Sequence, residues 1–504
     1  MREYIITVKD PAVWDTGLWN ELTVDGLGDN FIPKRAVEVL NERPFNEFMA
    51  HFNLTDEEVA EIRQDDRIAF VELQADLHPG VKKEHFGTRP TATYDKSSTT
   101  TATMKNWGLL RSSRLTNPFT TTTAVSTEFT YNLDGTGVDV IVVDTGVEPG
   151  HPEFAVNSDG TGGSRVVDFN WASLGVPGTP SAQSIGGYLG DSDGHGSHCA
   201  GIAAGNTCGW APGAAIYSIR IFDGIRIIGT DGNLLEINSD IAFDLVKAFH
   251  LAKRAAGNMR PTICTNSWGY RSGYSGMSST VWRGTTYSTT SRNSTYGQVN
   301  SLHPYVVNYL DVSATSCSNA GVILVGAAGN YLHKIDVPGG LDYDNYYTGV
   351  YGTQYYHRGS SPTRADGFIN VGAIDNTTTE QKVYFSETGP RVDVYSAGTM
   401  IMSALSFKYS STVTDPRNAI YRLGKISGTS MACPQVTGVL ATVLQARPAM
   451  TPAEAKQFLI DHSVKNALVE GSNTTYSSTT YLQGGNNRIL KTPFTSPDRG
   501  GITS

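Results

Sequence analysis

Residues 428–434 read Gly-Thr-Ser-Met-Ala-Cys-Pro and stand between a short β-prone run and an apolar run at 436–444 that is typical of a helix. This stretch places Ser430 at the start of the predicted helix, where unpartnered backbone N–H groups and the helix dipole favour negative charge. A serine nucleophile needs such surroundings when an oxyanion forms beside it. The alternative is an ordinary N-cap serine, because Ser is a favoured cap.

A second stretch supplies a carboxylate. Residues 138–143 form a near-continuous apolar run of the kind found in buried parallel strands, and Asp144 follows at its carboxyl end. A carboxylate at that edge of an α/β sheet lies where ligands usually bind. Alone, Asp144 could equally be a turn-forming residue.

A third stretch supplies an imidazole. Residues 193–201 read Asp-Gly-His-Gly-Ser-His-Cys-Ala-Gly, so that His195 lies between two glycines at the start of a predicted small-residue helix. Glycines permit a close approach of the backbone. Alone, His195 and His198 could be metal ligands or buried structural histidines. A calcium loop starting at residue 191 is excluded, because its fifth position is His195 and the closing Glu is missing.

Together the three stretches are specific, since Asp144, His195 and Ser430 follow one of the chain orders in which a catalytic triad arises. VVDTGV, DGHGSHCAG and GTSMACP resemble the signature boxes of the subtilase family of serine proteases. Residues 107–111 and 151–154 and the cysteine of the second box resemble its proteinase K-like branch. The resemblance covers roughly residues 105–493, with insertions.

The resemblance implies a doubly wound α/β fold with a mostly parallel sheet and endopeptidase activity on polypeptide substrates. It implies that Ser430 attacks the peptide carbonyl, that His195 acts as general base and then acid, and that Asp144 orients the imidazole. It also places Asn330, which ends the run 326–330, in the oxyanion hole; a bare Asn after Gly would otherwise be a turn residue.

Residues 265–269 resemble the edge strand of the family that pairs with the substrate backbone and walls the first specificity pocket. The predicted substrate-binding residues are Ser267, Trp268 and Gly269. Extended peptides bind to such an edge through main-chain hydrogen bonds. Trp268 stands where smaller residues are common, which leaves the preference of the pocket open.

Strands at 216–221, 262–267, 322–327 and 368–374 and a helix at 240–256 agree with the doubly wound sheet. Thr451 and Pro452 begin a last helix. Two insertions, 270–308 and 331–361, have no counterpart in the family pattern. Both follow cleft-lining motifs, so they are expected to shape substrate access or to dock a partner.

The composition limits the other classes. The chain has 504 residues, 17% of them charged, and a net charge of −9, which argues against a nucleic-acid partner. No apolar run reaches the roughly 20 residues that span a bilayer, so no membrane partner is expected. The five cysteines are expected to be buried and free, although Cys208, Cys264 and Cys317 leave a disulfide open.

Residues 1–80 are predicted to be a small α+β domain: a strand at 4–8, a helix at 34–40, a second helix opened by the capping box at 55–58, and a strand at 68–73. This domain resembles the inhibitory prosegment of subtilases; the alternative is an unrelated N-terminal binding domain. No signal peptide precedes it, so classical secretion is not expected and the compartment stays open.

Residues 81–104 are polar and lack apolar periodicity, as expected of a linker that contains a processing site. The predicted zymogen therefore comprises the prosegment (1–80), this linker, the catalytic domain (105–493) and a C-terminal tail (494–504). A docked prosegment would act as an intramolecular inhibitor and help the slow-folding parallel sheet to form.

Calcium is the expected structural cofactor. The calcium loop of subtilisins is missing after Gly201, but the proteinase K-like alternative implies a site at the carboxylate of Asp393 and the backbone carbonyls near Asp366 and Phe368. Asp393 could equally be a turn or cap residue.

The sequence disfavours two other functions. A catalytically silent binding protein with the same fold is disfavoured by the complete triad and Asn330. A lipase or esterase would need a G-x-S-x-G elbow and the order Ser, Asp, His, neither of which is present.

Overall fold

The computed structural model describes residues 1–24, 32–42, 46–74, 81–85, 101, 104–125, 129, 131, 133–180, 189–222, 237–406 and 413–492. Most of the predicted linker and the whole predicted tail (494–504) lie outside these ranges.

The N-terminal residues form a four-stranded antiparallel sheet in the order β2-β3-β1-β4. Its elements are β1 (Arg2–Val8), α1 (Trp19–Thr23), β2 (Glu38–Asn41), β3 (Met49–Leu54), α2 (Asp56–Ile62) and β4 (Ile68–Leu73). The predicted capping box is present, because Thr55 and Glu58 exchange side-chain and backbone hydrogen bonds at the start of α2. The sheet and its helices enclose a core of their own around Ile6, Phe52 and Ile62.

The helix predicted at 34–40 is wrong. Lys34 has a φ of 73°, which an α-helix does not tolerate, and the chain then enters β2 at the edge of the sheet. Exposed and half-buried side chains alternate along β2, which is a period of two rather than 3.6.

The remaining elements follow in chain order. The strands are β5 (Val81–His85), β6 (Asp139–Asp144), β7 (Gly146–Val147), β8 (Gly190–Asp191), β9 (Ala215–Arg220), β10 (Thr262–Asn266), β11 (Trp268–Gly273), β12 (Ser279–Trp282), β13 (Thr285–Tyr287), β14 (Leu302–Pro304), β15 (Ile323–Ala327), β16 (Tyr346–Gly349), β17 (Gly352–Tyr355), β18 (Phe368–Ile374), β19 (Val394–Ala397), β20 (Ile401–Leu405), β21 (Val413–Thr414), β22 (Arg422–Ile426), β23 (Val464–Lys465) and β24 (Arg488–Ile489). The helices are α3 (Trp107–Ser112), α4 (His195–Ala204), α5 (Ala242–Ala255), α6 (Asn308–Asn319), α7 (Thr429–Ala446) and α8 (Pro452–His462).

The central sheet has the order β23-β24-β19-β18-β15-β10-β6-β9, and every neighbouring pair except β23 with β24 is parallel. The observed strands 215–220, 262–266, 323–327 and 368–374 start and end within one residue of the predicted ones. The apolar runs of β6, β10, β15 and β18 are buried on both faces, as expected when helices cover both sides. β9, at the edge of the sheet, is half-buried at Ala215 and Tyr217.

Alternate residues of β6 belong to different cores. Val140 and Val142 pack with α4 and α7 on one face. Ile141 and Val143 pack with α5 and α6 on the other face. This is the doubly wound α/β arrangement that the sequence predicted.

The five cysteines are free and buried, as predicted. Among the described helices, none combines the length and the apolar character needed to cross a membrane.

Candidate active site

Asp144, His195 and Ser430 each lie where an element of the catalytic domain begins or ends. Asp144 is the last residue of β6, His195 is the first residue of α4, and Ser430 is the second residue of α7. Asp144 lies at the carboxyl end of a parallel strand, the edge of an α/β sheet where ligands usually bind, and α4 begins in direct contact with it.

Glycines let the first two elements come together. Gly194, the N-cap of α4, has a φ of 100°, which side-chain-bearing residues rarely adopt. A Cβ on Gly196 would lie 2.1 Å from the carbonyl oxygen of Gly146, so only glycine permits this approach of α4 to the loop after β6. Thr145 adds a hydrogen bond, since its Oγ1 accepts from the N–H of Gly196 at 2.8 Å.

Asp144 and His195 are in direct contact: Oδ1 of Asp144 lies 2.7 Å from Nδ1 of His195, and both side chains are buried. Burial by itself would lower the pKa of His195, but the charge and hydrogen bond of Asp144, together with the contact to Cys199, outweigh burial and raise the pKa well above the usual 6.5. This carboxylate therefore stabilises an imidazolium, which is what a general base becomes once it has taken a proton.

The backbone carbonyl of Ser430 is freed by a proline. Pro434 has no N–H, so it cannot make the helical hydrogen bond to the residue four positions before it. The carbonyl accepts instead from the hydroxyl of Ser267 at 3.0 Å and from the thiol of Cys199 at 3.5 Å. The Ser430 hydroxyl in turn donates to the backbone carbonyl of Ser267 at 3.2 Å.

Cys199 contacts both His195 and Ser430. Its sulfur lies 4.0 Å from Nδ1 of His195 as well as against the carbonyl of Ser430. Ligand atoms of Asp144, His195 and Cys199 lie within 4.8 Å of one another, which is close enough for a metal. Burial raises the pKa of the Cys199 thiol, however, and the thiolate rather than the thiol is the metal ligand.

The second histidine of this box is structural. His198 is buried, and its Nε2 lies 3.1 Å from the carbonyl oxygen of Gly424. Burial lowers the pKa of His198 to about 3, so it stays neutral.

Asn330 lies in the loop after β15, next to the serine. Its Oδ1 accepts from the N–H of Thr429 at 2.9 Å and from the hydroxyl of Thr429 at 3.0 Å. Because a backbone N–H can only donate, the atom that faces it must be the carbonyl oxygen of the amide. The NH₂ group of Asn330 is thereby available to donate to a ligand, as an oxyanion hole requires.

Ser267, Trp268 and Gly269 lie where β10 passes into β11. The indole of Trp268 is buried in the core and stacks on Phe243, with ring centroids 6.3 Å apart and planes inclined by 20°. Trp268 therefore presents its backbone rather than its side chain to the edge of the strand.

That edge of β11 is occupied by β5 of the same chain. The two strands are antiparallel, with Trp268 opposite His85, Gly269 opposite Glu84 and Ser272 opposite Val81. The first five residues of the predicted linker are thus a strand, because the edge of β11 offers backbone partners that sequence periodicity does not reveal.

The residues predicted to bind calcium do not fit that ion. Oδ2 of Asp393 accepts from the N–H of Asn370 at 2.8 Å and from Arg391 at 3.2 Å, and Oδ1 lies 2.9 Å from Nζ of Lys456. Arg391 also donates to the carbonyl of Phe368 at 3.4 Å. Two side-chain cations thus use the oxygens that a calcium ion would need.

Asp366 is the third residue predicted to bind calcium. It is exposed, and its carbonyl oxygen accepts a hydrogen bond from the hydroxyl of Thr315 at 3.3 Å. The sequence prediction considered the oxygen donors alone and left out the charge of Arg391 and Lys456.

The two insertions form one structure. β12 and β13 of the first insertion and β16 and β17 of the second make a four-stranded antiparallel sheet. β14, at the end of the first insertion, pairs with residues 271–273 of β11 on the side away from β5. The hydroxyl of Tyr347 donates to the carbonyl of Gly273 at 2.9 Å. The insertions therefore support the far end of β11.

Sequence reasoning missed two charged residues at this site, Arg271 and Glu387. They form a buried ion pair behind the loop of Asn330. They are 116 positions apart and belong to no motif, so a single sequence gave no signal for the pair.

Comparison with known proteins agrees with this geometry. Residues 135–485 match the model of the subtilase family, peptidase S8. The chain is 29% identical over 440 residues to an extracellular serine proteinase of a Thermus species, and this alignment covers 87% of this chain and 74% of that protein. It is 23% identical over 494 residues to a subtilisin-like protease of Coccidioides posadasii, covering 93% of this chain and 78% of that protein.

Among solved structures, the crystal structure of fervidolysin from Fervidobacterium pennivorans, a keratinolytic enzyme related to subtilisin, aligns with a TM-score of 0.54 at 19% identity. The alignment covers 96% of this chain and 60% of that one. Because the family model matches more than half of the chain, the chain belongs to the subtilase family of serine peptidases.

Proposed function

We propose that this chain is an autoprocessed serine endopeptidase in which Ser430 attacks the peptide carbonyl and forms an acyl-enzyme. His195 takes the proton of the serine hydroxyl and later delivers it to the leaving amine, and Asp144 stabilises the imidazolium in between. The hydroxyl has to turn from the carbonyl of Ser267 toward the imidazole for this step. Water then hydrolyses the acyl-enzyme with His195 as the base.

The observation that carries the proposal is the buried 2.7 Å contact between Asp144 and His195, with Cys199 packed against both His195 and Ser430. The NH₂ of Asn330 and the backbone N–H of Ser430 would donate to the oxyanion. A catalytically silent protein with this fold is disfavoured, because the chain carries all three side chains of the predicted triad and the Asn330 amide.

We further propose that residues 1–85 act as an inhibitor of the same chain. The support is that β5 uses the edge of β11, which is the edge that an extended substrate would need. The register of this pairing brings the end of β5 close to the proposed nucleophile. His85 lies opposite Trp268, which directly follows Ser267. The carbonyl of Ser267 accepts a hydrogen bond from the Ser430 hydroxyl. We therefore expect the first cut within a few residues after His85.

The contacts between the N-terminal sheet and the catalytic domain support this role. The carboxylate of Glu72 accepts from the N–H groups of Asn308 and Tyr309 at 3.1 and 2.8 Å, so it caps α6. Ile5 and Met49 are buried in the core cluster around α5 and α6. A segment held in this way covers the cleft until it is cut and released.

The test is the length of the purified chain. Wild type should shorten to a fragment that starts soon after residue 85, whereas Ser430→Ala should stay at full length. Ser158→Ala, on an exposed loop, is the matched control and should process like wild type. Mixing Ser430→Ala with active enzyme then distinguishes cutting within one molecule from cutting between molecules. Equal lengths of wild type and Ser430→Ala would refute autoprocessing.

Inhibition is tested separately with Glu72→Ala, which removes the cap on α6. Activity should appear earlier after the first cut than in wild type or in Glu57→Ala, an exposed acidic control on α2. An unchanged lag in Glu72→Ala would argue that the N-terminal sheet does not restrain the enzyme through this contact.

A further inference from the structure

The ion pair between Arg271 and Glu387 lies outside the predicted machinery. Arg271 is in β11, and Glu387 lies in the segment between β18 and β19. Both side chains are 0% exposed. A buried ion pair is weak evidence for stability, because desolvation of the two charges can exceed their attraction. Its location suggests another role.

The two members of the pair touch both neighbours of Asn330. The N–H of Glu387 donates to the carbonyl of Gly329 at 2.9 Å. The guanidinium of Arg271 stacks on the ring of Tyr331, 4.8 Å from its centroid. The residues directly before and after Asn330 are therefore each in contact with a member of the pair, Gly329 with Glu387 and Tyr331 with Arg271.

The fit around Gly329 is close. A Cβ at this position would lie 1.9 Å from Nη2 of Arg271 and 2.6 Å from the carboxylate of Glu387. Gly329 also has a φ of 121°, which side-chain-bearing residues rarely adopt. The backbone that carries Asn330 thus rests directly on the two charged groups.

Arg271 also belongs to the strand that forms the substrate edge. The backbone of Arg271 lies opposite Lys82 of β5 on one side and opposite Pro304 of β14 on the other. Gly269, predicted to bind substrate, is two residues before it on the same strand. The pair therefore joins the strand that would align a peptide to the loop that would stabilise its oxyanion.

We propose that Arg271 and Glu387 are positioning residues that hold Asn330 at a fixed distance from β11, so that the oxyanion hole is formed before substrate binds. The inference rests on the proposed function. We expect the pair to affect turnover through Asn330 and not through substrate affinity.

The experiment is a double-mutant cycle on the matured enzyme. Two variants are made in the wild-type and in the Asn330→Ala background. The first is Glu387→Gln, and the second combines Arg271→Met with Glu387→Met. Variants that fail to mature are processed by added wild type and repurified by an affinity tag. Rates on a soluble peptide are expressed per active site titrated with a fluorophosphonate, so that unfolded protein does not contribute.

In the wild-type background kcat should fall about 10- to 100-fold, as expected when a catalytic group is misplaced by roughly 1 Å. KM should change by less than about threefold, because the lost interaction belongs to the transition state. In the Asn330→Ala background the same substitutions should lower kcat by less than about threefold, since the group on which they act is gone.

Arg364→Met is the matched control. It breaks another ion pair, with Asp311 of α6, and should lower the melting temperature without changing kcat per active site. Equal losses of kcat in both Asn330 backgrounds would overturn the inference, as would a loss confined to KM. A wild type that neither cleaves peptide nor takes the fluorophosphonate would overturn the proposed function as well.

Discussion

The surroundings of Asp144 and of Asp393 make an instructive pair. Both carboxylates are buried at an end of a strand of the central sheet, and both accept hydrogen bonds from backbone N–H groups. Asp144 faces a histidine, whereas Asp393 faces an arginine and a lysine. A histidine can exchange its proton near neutral pH, and the other two cations cannot. The first carboxylate can therefore support chemistry, and the second is a structural charge.

The largest effect expected from this comparison is on turnover. Asp144→Asn keeps the size of the side chain but removes the charge that stabilises the imidazolium. We expect kcat to fall by about 10⁴, the value known for the equivalent change in the serine-protease triad. Asp393→Asn should leave kcat within about twofold, as expected away from the site. Steady-state kinetics on one peptide substrate measures both, and comparable losses would remove the distinction between the two sites.

The second effect concerns the oxyanion. Asn330→Ala removes the NH₂ donor and should lower kcat about 10²- to 10³-fold with little change in KM; the reference value comes from subtilisin, a relative of this chain. The same kinetic assay is used, with the exposed Asn293→Ala as control. A raised KM with an unchanged kcat would show that Asn330 binds substrate rather than the transition state.

Buried histidines extend the comparison to pH. Burial lowers the pKa of His303 to about 4 and that of His333 well below the usual 6.5. Unfolded histidines take up protons near pH 6.5, so the free energy of unfolding should fall as the pH drops from about 6.5 toward 4. His303→Gln should flatten this slope in denaturant titrations. The half-exposed His462 is the control, and an equal change of slope in His462→Gln would contradict the assignment.

The smallest effects belong to the structural carboxylate. Asp393→Asn leaves Arg391 and Lys456 without their counter-charge, and we expect a loss of about 1–3 kcal/mol in the free energy of unfolding, reduced by partial exposure of Lys456. Because these two cations use the predicted calcium oxygens, a chelator should leave the melting temperature of wild type unchanged. Differential scanning calorimetry measures both, and a chelator-induced drop that Asp393→Asn abolishes would show that a metal binds there.

The sequence carried its clearest signals where they were local, and the fold prediction was confirmed. The three boxes around Asp144, His195 and Ser430 combine a strand end or helix start with the glycines that it needs, so each can be recognised within about ten residues. The apolar runs of the parallel sheet are also local, and the doubly wound fold followed from them.

The failures involve partners that are distant in the chain. Lys456 reaches Asp393 from α8, and Arg271 reaches Glu387 from β11. β5 looked like part of a linker because its strand pairing depends on β11. Such tertiary contacts are not visible in a single sequence.

The helix predicted at 34–40 is absent for a local reason. Lys34 adopts a positive φ, and the residue type Lys gives no indication of it.

The most direct test of the account is labelling with a fluorophosphonate followed by peptide mapping. We expect one labelled residue, Ser430, in wild type, and labelling that is at least about 10³-fold slower in His195→Ala, because the serine loses its base. A folded wild type that stays unlabelled, or that carries the label on another residue, would contradict the assignment of Asp144, His195 and Ser430 as the catalytic unit.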